Sequence, residues 1–316
     1  MSNQHPIICV SYHPCIDRTL EVEEFKTGHT NRAIFIGEQA AGKCINIAHI
    51  LPLLGVKCVL YGIVGNDAKH IFEERLKQVP HHLTGLPLRT RINMTMIDKK
   101  RTSETHIREV GTPLDEKYFR DLMQEVLDAG HENQFVVLSG SLPPNIPDSC
   151  LFDFIVALKA KKMKVFVDTN GSALAAAVKA NPDLIKPNRE ELKELIGAET
   201  FEKFGITQSA DTIRFLHPEM SILLSDGANG CYFVSQGKRK HGQFQATFTV
   251  PVVSTIGAGD ALLAGFLAGL YLGWDLDNSI KYAVRVATAT LPCLSAGEID
   301  PEVLNHKSLS VVIEDL

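Results

Sequence analysis

The sequence predicts an α/β protein built on a parallel or mostly parallel sheet, and three observations carry that prediction. Short apolar runs of strand length alternate with helical patterns along most of the 316 residues. The runs are largely apolar throughout, as expected of strands buried on both faces. Several of them end in small or polar clusters, and in such folds ligands gather at the carboxyl ends of the strands.

Ile7–Ser11, Cys58–Ile63, Phe135–Leu138, Val165–Val167 and Ile222–Leu224 read as the buried strands, with a shorter one at Leu184–Ile185. Helical patterns lie near 43–54, 67–77, 115–129, 148–160 and 188–196. Four strands run into Ser139-Gly140-Ser141, Asp168-Thr169-Asn170-Gly171, Lys186-Pro187-Asn188 and Ser225-Asp226-Gly227. A second group of segments breaks this rhythm. Thr19–Phe25, Arg32–Gly37, Arg91–Asp98 and Thr102–Val110 read as longer strands with no helix between paired members. They predict a small sheet standing off the main one, with an apolar face to be covered by a ligand or a second subunit.

Composition narrows the class. A hydrophobic content of 45% and a charged fraction of 22% are ordinary for a globular protein. The net charge of −5 leaves no basic excess to displace counterions from nucleic acid, so no nucleic-acid partner is expected. An anionic substrate would need a local site. Cysteines 9, 15, 44, 58, 150, 231 and 293 are scattered without Cys-x-x-Cys spacing, which disfavours disulfides and zinc and points to a reducing cytoplasm. No apolar run reaches membrane-spanning length, and no membrane partner is expected.

The most informative stretch is Gly257-Ala258-Gly259-Asp260, leading into an apolar helix. Free amides in the first turn, with the positive end of the helix dipole, suit an anion. A carboxylate at Asp260 then makes sense as a base that takes a proton from an attacking hydroxyl. An ordinary loop with an acidic first turn also explains the pattern. Near the N-terminus, Asp17 follows the first strand, and Gly42 precedes a helix that places Lys43 and Asn46 on one face. A turn and a helix start explain that segment equally. Asn188 with Glu191 reads as a helix-capping pair, and Ser225, Gly227 and Gly230 as a hairpin turn.

The order of these pieces is what makes them recognisable. Pro-x-x-Asp-x-Thr, Asn31-Arg32, Gly-Lys-x-Ile-Asn, Thr90-Arg91-x-Asn93, Ser-Gly-Ser-Leu-Pro, Val-Asp-Thr-x-Gly, Lys-Pro-Asn-x-x-Glu-Leu, Ser-x-Gly-x-x-Gly and Gly-Ala-Gly-Asp follow one another between about Ile7 and Leu291. The chain thereby resembles the ribokinase-type carbohydrate kinases, nearest their 1-phosphofructokinase and tagatose-6-phosphate kinase branch. The resemblance implies a three-layer α/β/α ribokinase-like domain over 1–316, with lid strands from about 17–38 and 90–110.

It also implies an ATP- and Mg2+-dependent transfer to a hydroxyl of a ketohexose phosphate, fructose 1-phosphate or tagatose 6-phosphate. On that reading Asp260 is the base and Gly257, Ala258 and Gly259 stabilise the transferring group. Asp17, Gly42, Lys43 and Asn46 hold the sugar, while Arg91 grips its phosphate with help from Asn93 and Ser141. Lys186, Asn188, Ser225, Gly227 and Gly230 face ATP, and Glu191 organises magnesium through water. Relatives also suggest a homodimer through the lid. Read structurally, Arg91 is instead a solvated edge-strand residue.

The chain departs from the family's usual pattern at His13, Cys15, Ala41 and Cys44. These changes surround the sugar site and leave the phosphoryl-transfer motif intact. A kinase for an uncharged sugar or nucleoside is the first alternative. A non-catalytic sensor of nucleotide or sugar phosphate is the second.

Overall fold

The computed structural model describes residues 5–246 and 249–316. Its strands are β1 Ile7–Ser11, β2 Cys15–Val22, β3 Ile34–Ala41, β4 Cys58–Gly65, β5 His81–Leu86, β6 Arg91–Asp98 and β7 Ser103–Arg108. They continue as β8 Phe135–Ser139, β9 Lys164–Asp168, β10 Leu184–Ile185, β11 Ser221–Ser225, β12 Cys231–Ser235, β13 Lys238–Ala246 and β14 Leu309–Asp315. Ten of them form one sheet in the order β14-β13-β12-β11-β10-β9-β8-β1-β4-β5. From β11 to β5 the pairs are parallel, and from β11 to β14 they are antiparallel.

Burial on both faces explains why the central strands are apolar at every position. In β1, Ile7 and Cys9 enter one core cluster with helices Lys43–Leu53, Ala258–Tyr271 and Leu276–Ala289, and Ile8 and Val10 enter another. That second cluster holds the apolar faces of Glu116–Ala129, Asp148–Ala160 and Gly171–Lys179. Alternate side chains of one strand therefore meet opposite helix layers.

The second sheet has the order β3-β2-β6-β7. Its strands differ from the sequence expectation at their ends. The strand expected at Thr19–Phe25 begins at Cys15, because Cys15 and Asp17 pair with Arg91 and Asn93 of β6. That expected at Arg32–Gly37 runs on to Ala41, opposite Cys15, with a bulge between Thr19 and Leu20. Strand ends here are decided by partners in distant sequence rather than by local propensity. Beyond the hairpin of β11 and β12, the antiparallel strands β13 and β14 and the helical segment Ala198–Leu216, kinked at Gly205, have no counterpart in the sequence expectation. Among the described residues no helix is long and apolar enough to cross a membrane.

Candidate active site

Two strand ends and three helix starts converge on a buried charged cluster: β9 and β10 bring Asp168 and Lys186, and helices Lys43–Leu53, Arg189–Ile196 and Ala258–Tyr271 bring Lys43 and Asn46, Glu191, and Asp260. Helix Ala258–Tyr271 begins after Gly257, whose φ of 82° lies in the left-handed region. A Cβ on Gly257 would stand 2.9 Å from Cβ of Ala296. This turn sets Asp260 in the first helical turn, buried, where it accepts a 2.7 Å hydrogen bond from Asn46 Nδ2. Burial raises the Asp260 pKa to about 6, with Asp168 adding to the rise and Lys43, Asn46 and Lys186 opposing it.

Asp168, which the sequence reading left without a role, is the centre of the cluster. It ends β9, is fully buried, and lies 2.8 Å from Lys43 Nζ and 3.2 Å from Lys186 Nζ. Burial alone would push its carboxyl up, but the two ammonium groups outweigh it and hold it below the usual range. Its position at a strand's carboxyl end was the available signal.

Lys43, expected among the sugar contacts, has its Nζ 2.8 Å from Asp168 Oδ1 and 3.7 Å from Glu191 Oε1. Burial works against its charge, yet Asp168, Glu191 and Asp260 together raise its pKa. Lys186 lies over the Gly257–Gly259 turn, since a Cβ on Gly259 would stand 3.4 Å from its Nζ. Gly42, with φ 127°, caps the Lys43 helix, and a Cβ there would stand 3.2 Å from Pro14 Cα.

The capping alternative for Asn188 and Glu191 is realised in full. The Asn188 side chain accepts from the Glu191 amide at 2.9 Å, and Glu191 Oε2 accepts from the Asn188 amide at 2.8 Å. The second Glu191 oxygen faces the cluster. The hairpin alternative also holds: β11 and β12 pair antiparallel around Ser225, Gly227 and Gly230. A bridge from Ser225 to Asn188 brings that turn beside the cap.

Across the cleft, Asn93 Nδ2 donates to Asp17 Oδ1 at 3.1 Å and lies 3.1 Å from Cys15 Sγ. The Arg91 guanidinium donates from Nη2 to the His13 carbonyl at 2.9 Å and from Nε to that of Pro14 at 3.4 Å. It is partly buried, not a solvated edge residue. Ser141 Oγ is 3.2 Å from His13 Nδ1. Burial and the adjacent Arg91 lower the His13 pKa to about 3, so its imidazole is neutral.

Of the departures from pattern, Cys44 turns into the core, whereas His13 and Cys15 touch Ser141, Arg91, Asp17 and Asn93. Between the second sheet and the loops at 254–256 and 294–296 lies a cavity of about 180 Å3, lined by Asp17, Gln39, Thr95 and Ala296. Arg75 ties the second loop down, donating to the Ala296 carbonyl at 2.9 Å.

A three-layer α/β core with a small sheet facing a helix-start carboxylate is the architecture of the ribokinase-type kinases. The pattern of the pfkB family carbohydrate kinases matches residues 7–302, and the chain belongs to that family. It is a carbohydrate kinase. It is 28% identical to a 1-phosphofructokinase of Xanthomonas campestris pv. campestris, covering 97% of each chain. A 1-phosphofructokinase of Vibrio cholerae is 27% identical, with 98% of this chain and 97% of that one covered. Its fold is similar to that of phosphofructokinase-2 from Escherichia coli in complex with fructose-6-phosphate, with a TM-score of 0.81 at 22% identity, covering 95% and 98%.

Proposed function

We propose that the chain transfers the γ-phosphoryl group of ATP to a hydroxyl of a ketohexose phosphate, giving a ketohexose bisphosphate. The observation that carries this reading is Asp260: a buried carboxylate with a raised pKa, set at the Gly257–Gly259 helix start between Asn46 and two lysines. A base with a pKa near 6 is ionised at neutral pH and still basic enough to take a hydroxyl proton. The relatives named 1-phosphofructokinase favour fructose 1-phosphate, and tagatose 6-phosphate is the other candidate.

The acceptor hydroxyl gives its proton to Asp260 as its oxygen attacks the γ-phosphorus. Amides of Gly257, Ala258 and Gly259 meet the charge that develops on the transferring group. Asp17, Gly42, Lys43 and Asn46 hold the sugar. Arg91, Asn93 and Ser141 take the substrate's own phosphate. Lys186, Asn188, Ser225, Gly227 and Gly230 line the nucleotide.

Magnesium fits as an ion carried by the nucleotide. Among the described residues no group of three or more His, Cys, Asp or Glu would hold a metal. Glu191 offers one carboxylate already engaged in its cap, so it holds the ion through water. When bound, the ion neutralises charge on the phosphates. The face of the second sheet turned from the cleft exposes Phe35 (58%) and Ile107 (51%), which supports a homodimer through it. The free cysteines suit a reducing cytoplasm.

The test is a coupled ADP-release assay with ATP and magnesium against fructose 1-phosphate, fructose 6-phosphate, tagatose 6-phosphate, fructose and ribose. Preference for one phosphorylated ketohexose is expected. In the Asp260→Asn variant turnover should fall by roughly 10²- to 10⁴-fold with ATP binding retained. Full activity of that variant would sink the assignment of Asp260 as base.

A further inference from the structure

Cross-strand register divides the second sheet into two unlike faces. Gln39 lies opposite Asp17, Asp17 opposite Asn93, and Asn93 opposite Arg108, so these four form one row across β3, β2, β6 and β7. Directly opposed residues share a face. The same face carries Cys15 and Arg91 in one neighbouring row, and Thr19, Thr95 and His106 in the other. It is polar and looks into the cleft, as the Asp17–Asn93 bond and the lining of the cavity show. Leu20, Phe35, Met94 and Ile107 occupy the opposite face.

Arg108 is the anomaly in that polar face. Its side chain has no hydrogen bond or ion pair among the described residues. Four other cations of this sheet and its turns are matched, Arg18 with Glu38, Arg89 with Glu109, Lys99 with Glu21 and Lys100 with Glu24, at 2.7 to 3.0 Å, whereas Arg32, in the connection from β2 to β3 and off the polar face, shares the lack of a partner among the described residues. Its charge is nonetheless felt inside the site. It adds to the lowering that burial imposes on Arg91, and it opposes the rise that burial causes at Cys15. Two guanidinium groups thus stand near each other, with no carboxylate between them held by an ion pair.

Arg91 cannot bind a phosphate alone in full fork geometry. Its Nε and one Nη2 proton are spent on the carbonyls of Pro14 and His13, which is the side-on edge that matches two anion oxygens. Only the far end of its guanidinium remains. A dianionic phosphate has three acceptor oxygens, and beyond that end the proposed phosphate site offers only the neutral groups of Ser141 and of Asn93, whose Nδ2 already donates to Asp17.

We infer that Arg108 is a second phosphate ligand, completing with Arg91 a two-arginine clamp on the dianionic ester of the substrate, and so selects a sugar phosphate over the free sugar. The inference rests on the sugar-phosphate reading above. It places the discriminating charge on the edge strand β7, across Asn93 from the sugar-facing Asp17. The bound anion replaces like-charge repulsion between the two arginines with attraction to both.

The experiment compares Arg108→Ala, Arg108→Lys and the unaltered protein in steady-state kinetics with fructose 1-phosphate and ATP. Arg108 is exposed and unpaired, so the variants should fold as the parent does. Loss of one charge-assisted contact should raise KM for fructose 1-phosphate about 10- to 100-fold. Turnover at saturation should stay within about threefold and KM for ATP should not move. Lysine should recover part of the loss. A KM within twofold of the parent's in Arg108→Ala would overturn the clamp while leaving the kinase reading intact.

Inorganic phosphate supplies an independent arm, read as protection against thermal unfolding. Protection by phosphate that weakens in Arg108→Ala supports the clamp, and equal protection in both proteins counts against it. Activity of the unaltered protein on free sugars alone would overturn the sugar-phosphate reading, and the phosphate arm would still decide whether Arg108 binds an anion.

Discussion

Replacing Asp168 by Asn removes the negative charge from between two lysines and changes almost nothing in volume. At distances of 2.8 and 3.2 Å, and an effective dielectric near 20, the gross attractions lost are about 6 and about 5 kcal/mol. Most of this was offset by desolvating the three groups. Breaking a buried pair by removing one partner typically leaves a net cost of about 3–5 kcal/mol. For a chain of 316 residues such a loss lowers Tm by roughly 5–8 °C. On the proposed reading Lys186 faces the ATP phosphates, which would stand in for the lost carboxylate, so ATP should restore more Tm in the variant than in the parent.

The same substitution has a kinetic signature of defined sign. Asp168 is one of the causes that raise the Asp260 pKa to about 6. Without that charge the Asp260 pKa falls, and the acidic limb of the kcat/KM profile moves below 6. Global unfolding does not confuse the result. Asp168 has a depressed pKa, so its stabilisation is fully present above its unfolded value near 4 and is lost only as pH falls below that. Differential scanning fluorimetry and a pH–rate series from 5 to 9 measure both effects. An Asp168→Asn protein with unchanged Tm and an unmoved acidic limb would refute the view of Asp168 as the cluster's electrostatic centre.

Two further substitutions probe neighbouring parts of the site. Asn46→Ala removes the hydrogen bond that opposes the Asp260 rise, so its acidic limb should move above 6, opposite in sign to Asp168→Asn; matched pH–rate profiles check this. Gly257→Ala forces a side chain onto a left-handed backbone and to within 2.9 Å of Ala296. It should cost about 1–3 kcal/mol in urea unfolding, with a fall in kcat larger than any change in KM.

Much of the site was legible in the chain because its backbone requirements are local. Gly257 must adopt a positive φ, Asn188 and Glu191 must cap a helix, and Gly42 must open another. Each of those needs is written in adjacent residues. The parallel core was legible for a similar reason, since strands buried on both faces cannot hide their apolar runs. The ends of β2 and β3 were not, because their partners come from β6 and from each other through a bulge.

By itself, then, the amino-acid order determined the class of fold, the helix starts around the candidate site and the carboxylate placed at one of them. Only the tertiary structure decided what those groups do to each other. Asp168 and Lys43 are 125 positions apart, and Asn46 and Asp260 are 214 apart. Charge and burial are properties of that convergence in space. For the same reason Arg108 carried no signal in sequence: its importance follows from the strand register that sets it across from Asn93 and beside Arg91, with its charge left uncancelled.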